Sequence, residues 1–207
     1  MSTTPSLSTE QYAALQRDPI VLPQPEELFD RIVETLVAKR LATYADADPF
    51  RAAVPKGLFL LIPPKPDGDL LAVLNGRSLV NRGDLHDAVA VPPAPYLMID
   101  IEDGRRTVGA PPIPEAGRSP YLLWEGIVHA AVFPMVFESH DLVIGGTEHA
   151  SGAVPTLCRN SGQPELRALF YTAGGYPRCG IPTCALRVGA PVSVSPLTDR
   201  SHYNLLI

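Results

Sequence analysis

Twenty-three prolines, spread from Pro5 to Pro196, set the strongest limit on what this chain can become. Proline has no amide hydrogen to donate, and its ring pushes the preceding residue out of the helical region. A 207-residue chain cut this often, with 16 glycines among the cuts, must build from short elements and many turns. Short elements are expected rather than long helices. A core is still affordable, because 45% of the residues are hydrophobic and only 19% are charged. This size predicts an N-terminal arm over 1–24, one domain over 25–195 and a C-terminal tail over 196–207.

One segment carries the clear period of a helix. Pro25 suits a first helical position, Glu26, Glu27 and Asp30 suit the N-terminal turns, and Lys39 and Arg40 suit the last. Leu28, Phe29, Ile32, Val33, Leu36, Val37 and Leu41 recur at helical spacing, which predicts an amphipathic helix over 25–42. A shorter helix is expected over 9–16, before Asp18-Pro19. The apolar runs 57–62 and 70–74 flank a Pro-Asp-Gly turn and read as two buried strands of a hairpin.

Residues 75–95 read as a polar loop, and Tyr96 to Glu102 as a third strand closed by Asp103-Gly104. Ser119-Pro120 opens a second helix that ends before Pro134. Strands are expected at 141–146, 153–158, 166–172, 183–188 and 191–195, with glycines between several of them. The predicted class is α+β: an antiparallel or mixed sheet with one or two helices packed on a face.

A net charge of -5 without any basic stripe argues against nucleic acid as a partner. No apolar run approaches the roughly 18 residues of a membrane span. The start Met1-Ser-Thr-Thr-Pro-Ser6 lacks the charged and apolar regions of a signal peptide. Three cysteines, an odd number, argue against a disulfide framework and for a reducing cytoplasm. Arginine outnumbers lysine by 14 to 3, a bias that points to a GC-rich genome. Neither a Gly-x-Gly-x-x-Gly nor a Walker sequence occurs, so no nucleotide cofactor is expected.

Several side chains have the right types for chemistry. Glu125 and His129 lie four apart on the second helix, at the edge of an apolar face formed by Trp124, Ile127, Val128 and Ala131. A carboxylate beside an imidazole can fix its tautomer and serve acid/base catalysis, although the same spacing also makes ordinary helix-surface pairs. Asp100 and Glu102 alternate with Leu97, Ile99 and Ile101, which would set both carboxylates on one sheet face. Solvent on that face explains them as well.

Cys158, Cys179 and Cys184, with His140 or His149, have poor zinc spacing, since the one close pair is Cys-x4-Cys with Pro182 inside it. No metal is expected. Cys179, beside Arg178, reads as the most exposed and reactive thiol, because positive charge lowers a thiol pKa. Ser139-His140-Asp141 names the members of a triad, but consecutive side chains are expected to point apart.

The run Pro95-Tyr-Leu-Met-Ile-Asp-Ile-Glu-Asp-Gly104 is followed by Gly117-Arg-Ser-Pro120, Glu125-Gly-Ile127 and Phe133-Pro134. Then come Leu142-Val-Ile-Gly-Gly-Thr147, Val154-Pro-Thr-Leu157, Gly162-Gln-Pro-Glu-Leu166, Gly175-Tyr-Pro177 and Cys184. This order, roughly residues 95–190, resembles an actinobacterial family catalogued as a domain of unknown function. The chain departs from that family's Asn-Pro-His-Thr-Trp stretch, having Tyr176-Pro-Arg-Cys179 there, and from its aromatic residues near Cys158 and Phe170-Tyr171. The resemblance implies a bacterial cytosolic origin and a shared fold, and it carries no activity.

Two functional readings follow. The first is a small cytoplasmic enzyme of specialised metabolism acting on a small organic molecule by nucleotide-independent cyclisation, isomerisation or elimination. Its candidate residues are His129, Glu125, Cys179 and Arg178. The second is a non-catalytic ligand-binding or assembly module, with a possible homodimer through Leu205-Leu-Ile207.

Overall fold

The computed structural model describes residues 24–110, 116–170 and 176–190. The expected helix over 9–16, the strand over 191–195, the tail and all of the arm except Gln24 lie outside them. Helix α1 (Pro25–Ala38) buries the predicted stripe of Leu28, Phe29, Ile32, Val33 and Leu36. It stops at Ala38 rather than at residue 42. Arg40 takes a left-handed φ of 59°, and the amides of Arg40 and Leu41 turn back to the carbonyls of Val37 and Leu36. Those two bonds close the helix end, and Leu41 folds back onto the core. The short helix α2 (Tyr44–Ala47) follows, with Thr43 and Asp46 capping each other.

Strand β1 (Phe59–Ile62) is buried throughout. Its expected hairpin partner is not a strand. Residues Leu70–Leu74 wind into a 3-10 turn, started by the Asp69 carboxylate on the Leu71 amide and ended by Asn75 at φ 51°. Pro63, Pro64 and Pro66 remove amides that a tight hairpin ladder would use. The expected loop 75–95 contains β2 (Arg77–Ser78) and β3 (Leu85–Asp87). Then come β4 (Tyr96–Glu102), β5 (Ser119–Pro120), helix α3 (Leu123–Val132) and the single turn α4 (Val136–Ser139). The last strands are β6 (Asp141–Val143), β7 (Thr147–His149), β8 (Val154–Asn160), β9 (Gln163–Leu169), β10 (Cys179–Gly180) and β11 (Thr183–Gly189).

Two sheets and a ribbon result. The first sheet has the order β1-β4-β11-β5 and is antiparallel throughout. The second, β10-β6-β8-β9-β2, is mixed, with parallel pairs at both edges. Strands β3 and β7 form a two-stranded antiparallel ribbon. The α+β class expected from the sequence is the class observed. No helix among the described residues is long and apolar enough to cross a membrane.

Helix α3 occupies the centre, in contact with α1, with β1 of the first sheet, with β8 of the second and with the 70–74 turn. A helix covered on all sides should be apolar all round. Leu-Trp-Glu-Gly-Ile-Val-His-Ala-Ala-Val nearly is, and every residue from Leu123 to Ala131 is buried. The amide of Leu123 is held by the Thr147 hydroxyl, which in turn donates to Asp87, so the ribbon fixes the start of the helix.

Candidate functional site

The two polar residues of α3 are where chemistry was expected, but neither sits at a wet edge. Glu125 and His129 are both completely buried, because α3 lies between two sheets and has no solvent-facing side. Nor do they pair. Arg187 of β11 holds both oxygens of Glu125, Nε to Oε1 at 2.6 Å and Nη2 to Oε2 at 2.7 Å. The Tyr96 hydroxyl donates to Oε1 and the Leu122 amide to Oε2, each at 2.7 Å. A carboxylate offers about four acceptor positions, and all four are taken. Arg187 also donates to Ser119 Oγ and to the Pro120 carbonyl. Burial pushes the Tyr96 phenol far up, and the Glu125 charge beside it adds to that rise. Burial works against the Arg187 cation, but the Glu125 carboxylate more than offsets it.

His129 turns instead toward the Tyr121 hydroxyl, 3.3 Å from Nδ1, and meets the edge of the Phe133 ring. Burial pushes its imidazole down to about 4, against the pull of the Asp103 carboxylate. The ring is therefore neutral near pH 7. The expected orienting pair is replaced by two separate buried networks, one against each neighbouring structure.

Cys179 is corrected in the same direction. It is buried with Val143 and Ile181 on the inner side of β10, while the neighbouring Arg178 side chain is exposed. Arg178 contributes a main-chain bond, its carbonyl accepting the Asp141 amide at 2.7 Å. Cys158 and Cys184 are buried as well, and burial pushes both thiols up to about 11. Among the described residues no group of three or more His, Cys, Asp and Glu side chains converges closely enough to hold a metal ion.

Asp100 and Glu102 do not share a site either. Asp100 has φ 51°, which breaks the pleat, and its exposed carboxylate pairs with Arg118. Glu102 is half-buried and accepts the amides of Gly104 and Arg106. Burial raises its pKa, with the Asp103 charge adding to the effect.

Ser139 and His140 do meet, contrary to expectation. Ser139 ends α4, and His140 is already extended at φ -163° and ψ 171°. That switch of backbone conformation folds adjacent side chains together, with Ser139 Oγ 2.7 Å from His140 Nδ1.

Among the described residues a groove of about 820 Å³ runs along one side of α1. Leu28, Ile32, Ala130, Phe133 and Phe137 give it an apolar floor, and Lys39, Arg159 and Glu138 stand among its polar lining. It is assembled from α1, the α3–α4 corner, the end of the 70–74 turn and the tip of the β8–β9 hairpin. None of His129, Glu125, Cys179 or Arg178 lines it. Sequence reasoning missed it because its walls come from four separated segments. In the sequence Lys39 suits only the last turn of a helix, and Arg159 carries no signal of its own. Comparison of the chain with protein-family models, curated proteins and solved structures gave no match.

Proposed function

We propose that this chain is a binding module for a small amphiphilic anion, held in the groove beside α1. The observation that carries this reading is one concavity joining an apolar floor to cations without carboxylate partners. Its volume of about 820 Å³ falls inside the ~300–1,000 Å³ range of small-molecule sites. Lys39 and Arg159 have no ion-pair partner among the described residues; the Arg159 Nε donates to the Gly162 carbonyl. A carboxylate or phosphate head between them would gain charge-assisted hydrogen bonds, while an alkyl or aryl body would cover Ile32 and Phe133. Glu138 on the same rim disfavours ligands with several negative charges. Binding is preferred to acid/base catalysis at His129 because that ring and Glu125 are sealed from the groove. A bacterial cytoplasm, and kinship with the actinobacterial family over 95–190, belong to the same proposal.

Isothermal titration with decanoate and with decanol tests it. Decanoate should bind more tightly than decanol, and Lys39→Glu combined with Arg159→Glu should weaken decanoate by at least about tenfold, or ~1.4 kcal/mol. Equal affinity for the acid and the alcohol, or an unchanged affinity in the double variant, would remove the reading.

A further inference from the structure

We propose that Ser139 and His140 form a nucleophilic dyad able to accept an acyl group from an activated ester. The argument begins with protons. His140 Nε2 lies 2.7 Å from the main-chain carbonyl of Asp103, which can only accept. Nε2 therefore carries a hydrogen, and in the neutral ring Nδ1 is left with a lone pair. The group facing that lone pair is the Ser139 hydroxyl, at 2.7 Å. A neutral Nδ1 can only accept, so the single Ser139 hydroxyl hydrogen has two acceptors, that base and the Val136 carbonyl at 2.9 Å. The orientation toward Nδ1 is the one a nucleophilic serine uses.

The base is firmly oriented. The His140 ring is completely buried, and the Asp103 carbonyl fixes its tautomer in the place a triad gives to a carboxylate. Ser139 itself is exposed at the end of α4, so the nucleophile faces solvent while its base does not. Arg105 Nη2 lies 3.4 Å from Ser139 Oγ and places positive charge near where an oxyanion would develop.

The Val136 carbonyl also accepts the His140 amide, so it keeps a donor when the Ser139 hydrogen points to Nδ1. In the forward step Oγ forms a bond to the carbonyl carbon, and its proton passes to Nδ1. Collapse of the tetrahedral species breaks the bond to the alkoxide or phenoxide, which leaves with that proton. Water then attacks the acyl-serine by the reverse route and releases the carboxylic acid. No oxidant, metal or further reactant is needed, and the groove beside α1 is not required.

The test is labelling of the full chain with a small alkyl fluorophosphonate, with hydrolysis of p-nitrophenyl acetate measured in parallel. One adduct should map to Ser139, and Ser139→Ala should abolish both the adduct and the esterase activity above background. His140→Gln should slow labelling by about 10²-fold or more, the usual weight of a general base. His140 is buried, and where its variant does not fold, the wild-type protein in 8 M urea replaces it; there Ser139 should label no faster than other serines. No adduct on Ser139 in the native protein overturns the proposal. So does an equal labelling rate in urea, or esterase activity that survives Ser139→Ala.

Discussion

Arg187 grips Glu125 through two parallel hydrogen bonds inside the protein, with the carboxylate at 0% and the guanidinium side chain at 7% exposure. The pair joins the central helix α3 to strand β11 across 62 residues of sequence. Such a pair contributes little net stability when formed, because both charges have been taken out of water, but removing one partner strands the other.

Glu125→Gln should therefore destabilise the fold by about 3–5 kcal/mol, and Arg187→Met by a similar amount. The double variant should lose clearly less than the sum. Urea unfolding of the four proteins in a double-mutant cycle measures this. The surface pair Arg51–Asp30, about half exposed on both sides, gives the contrast. Arg51→Ala should change stability by no more than roughly 1 kcal/mol.

Gly180 offers a second, steric test. A Cβ there would overlap the backbone carbonyl of Gly104, itself at φ 94°, and press on the His140 ring. Neither backbone can retreat cheaply, because Gly180 pairs with Leu142 in the second sheet. Gly180→Ala should lower the midpoint of thermal unfolding by at least about 5 °C, as expected for a loss of ~2 kcal/mol in a domain of this size. Gly68→Ala, with nothing near the new methyl, should leave the midpoint within about 2 °C.

What was legible in the chain was what local period encodes. The stripe from Leu28 to Leu36 announced α1, and the alternation around Tyr96 announced β4. The α+β class followed from such pieces. Burial of α3 was not legible. A ten-residue segment with one Glu and one His reads as amphipathic, and the Arg187 and Tyr96 that neutralise that reading lie far along the chain. The Ser139–His140 contact depends on a change from helix to extended backbone between two neighbours, which residue types do not specify. Leu70–Leu74 is apolar enough for a strand or a turn, and Asp69 with Asn75 decided for the turn.

The cysteines should behave as buried hydrophobes. All three are free and buried, and the thiols of Cys158 and Cys184 are pushed up to about 11. Few Cys158 or Cys184 thiolates exist at pH 8, and at all three buried sites reagent must wait for opening. Alkylation by iodoacetamide at pH 8 should modify the native protein at least about 100-fold more slowly than the protein in 8 M urea, an opening cost of ~2.7 kcal/mol or more. Rapid labelling of Cys179 in the native state would restore it as a reactive thiol.

His129 predicts the direction of the acid response. In the unfolded chain its imidazole titrates near 6.5, whereas in the fold burial holds it at about 4. Between those values the unfolded state binds a proton that the native state does not, so stability falls as pH falls. Above about pH 6.5 the two states agree on this group and its contribution is flat. Going from pH 7 to pH 5, the difference costs about 2 kcal/mol from this residue alone. His129→Leu keeps the ring's apolar neighbours Tyr121 and Phe133 while removing the proton site. The variant should be less stable than wild type at pH 7, because Tyr121 loses a hydrogen-bond partner there. Its loss of stability between pH 7 and pH 5 should nevertheless be smaller than that of wild type by about 2 kcal/mol. Urea unfolding at the two pH values gives the comparison, and parallel losses in both proteins would show that His129 is not the group that titrates.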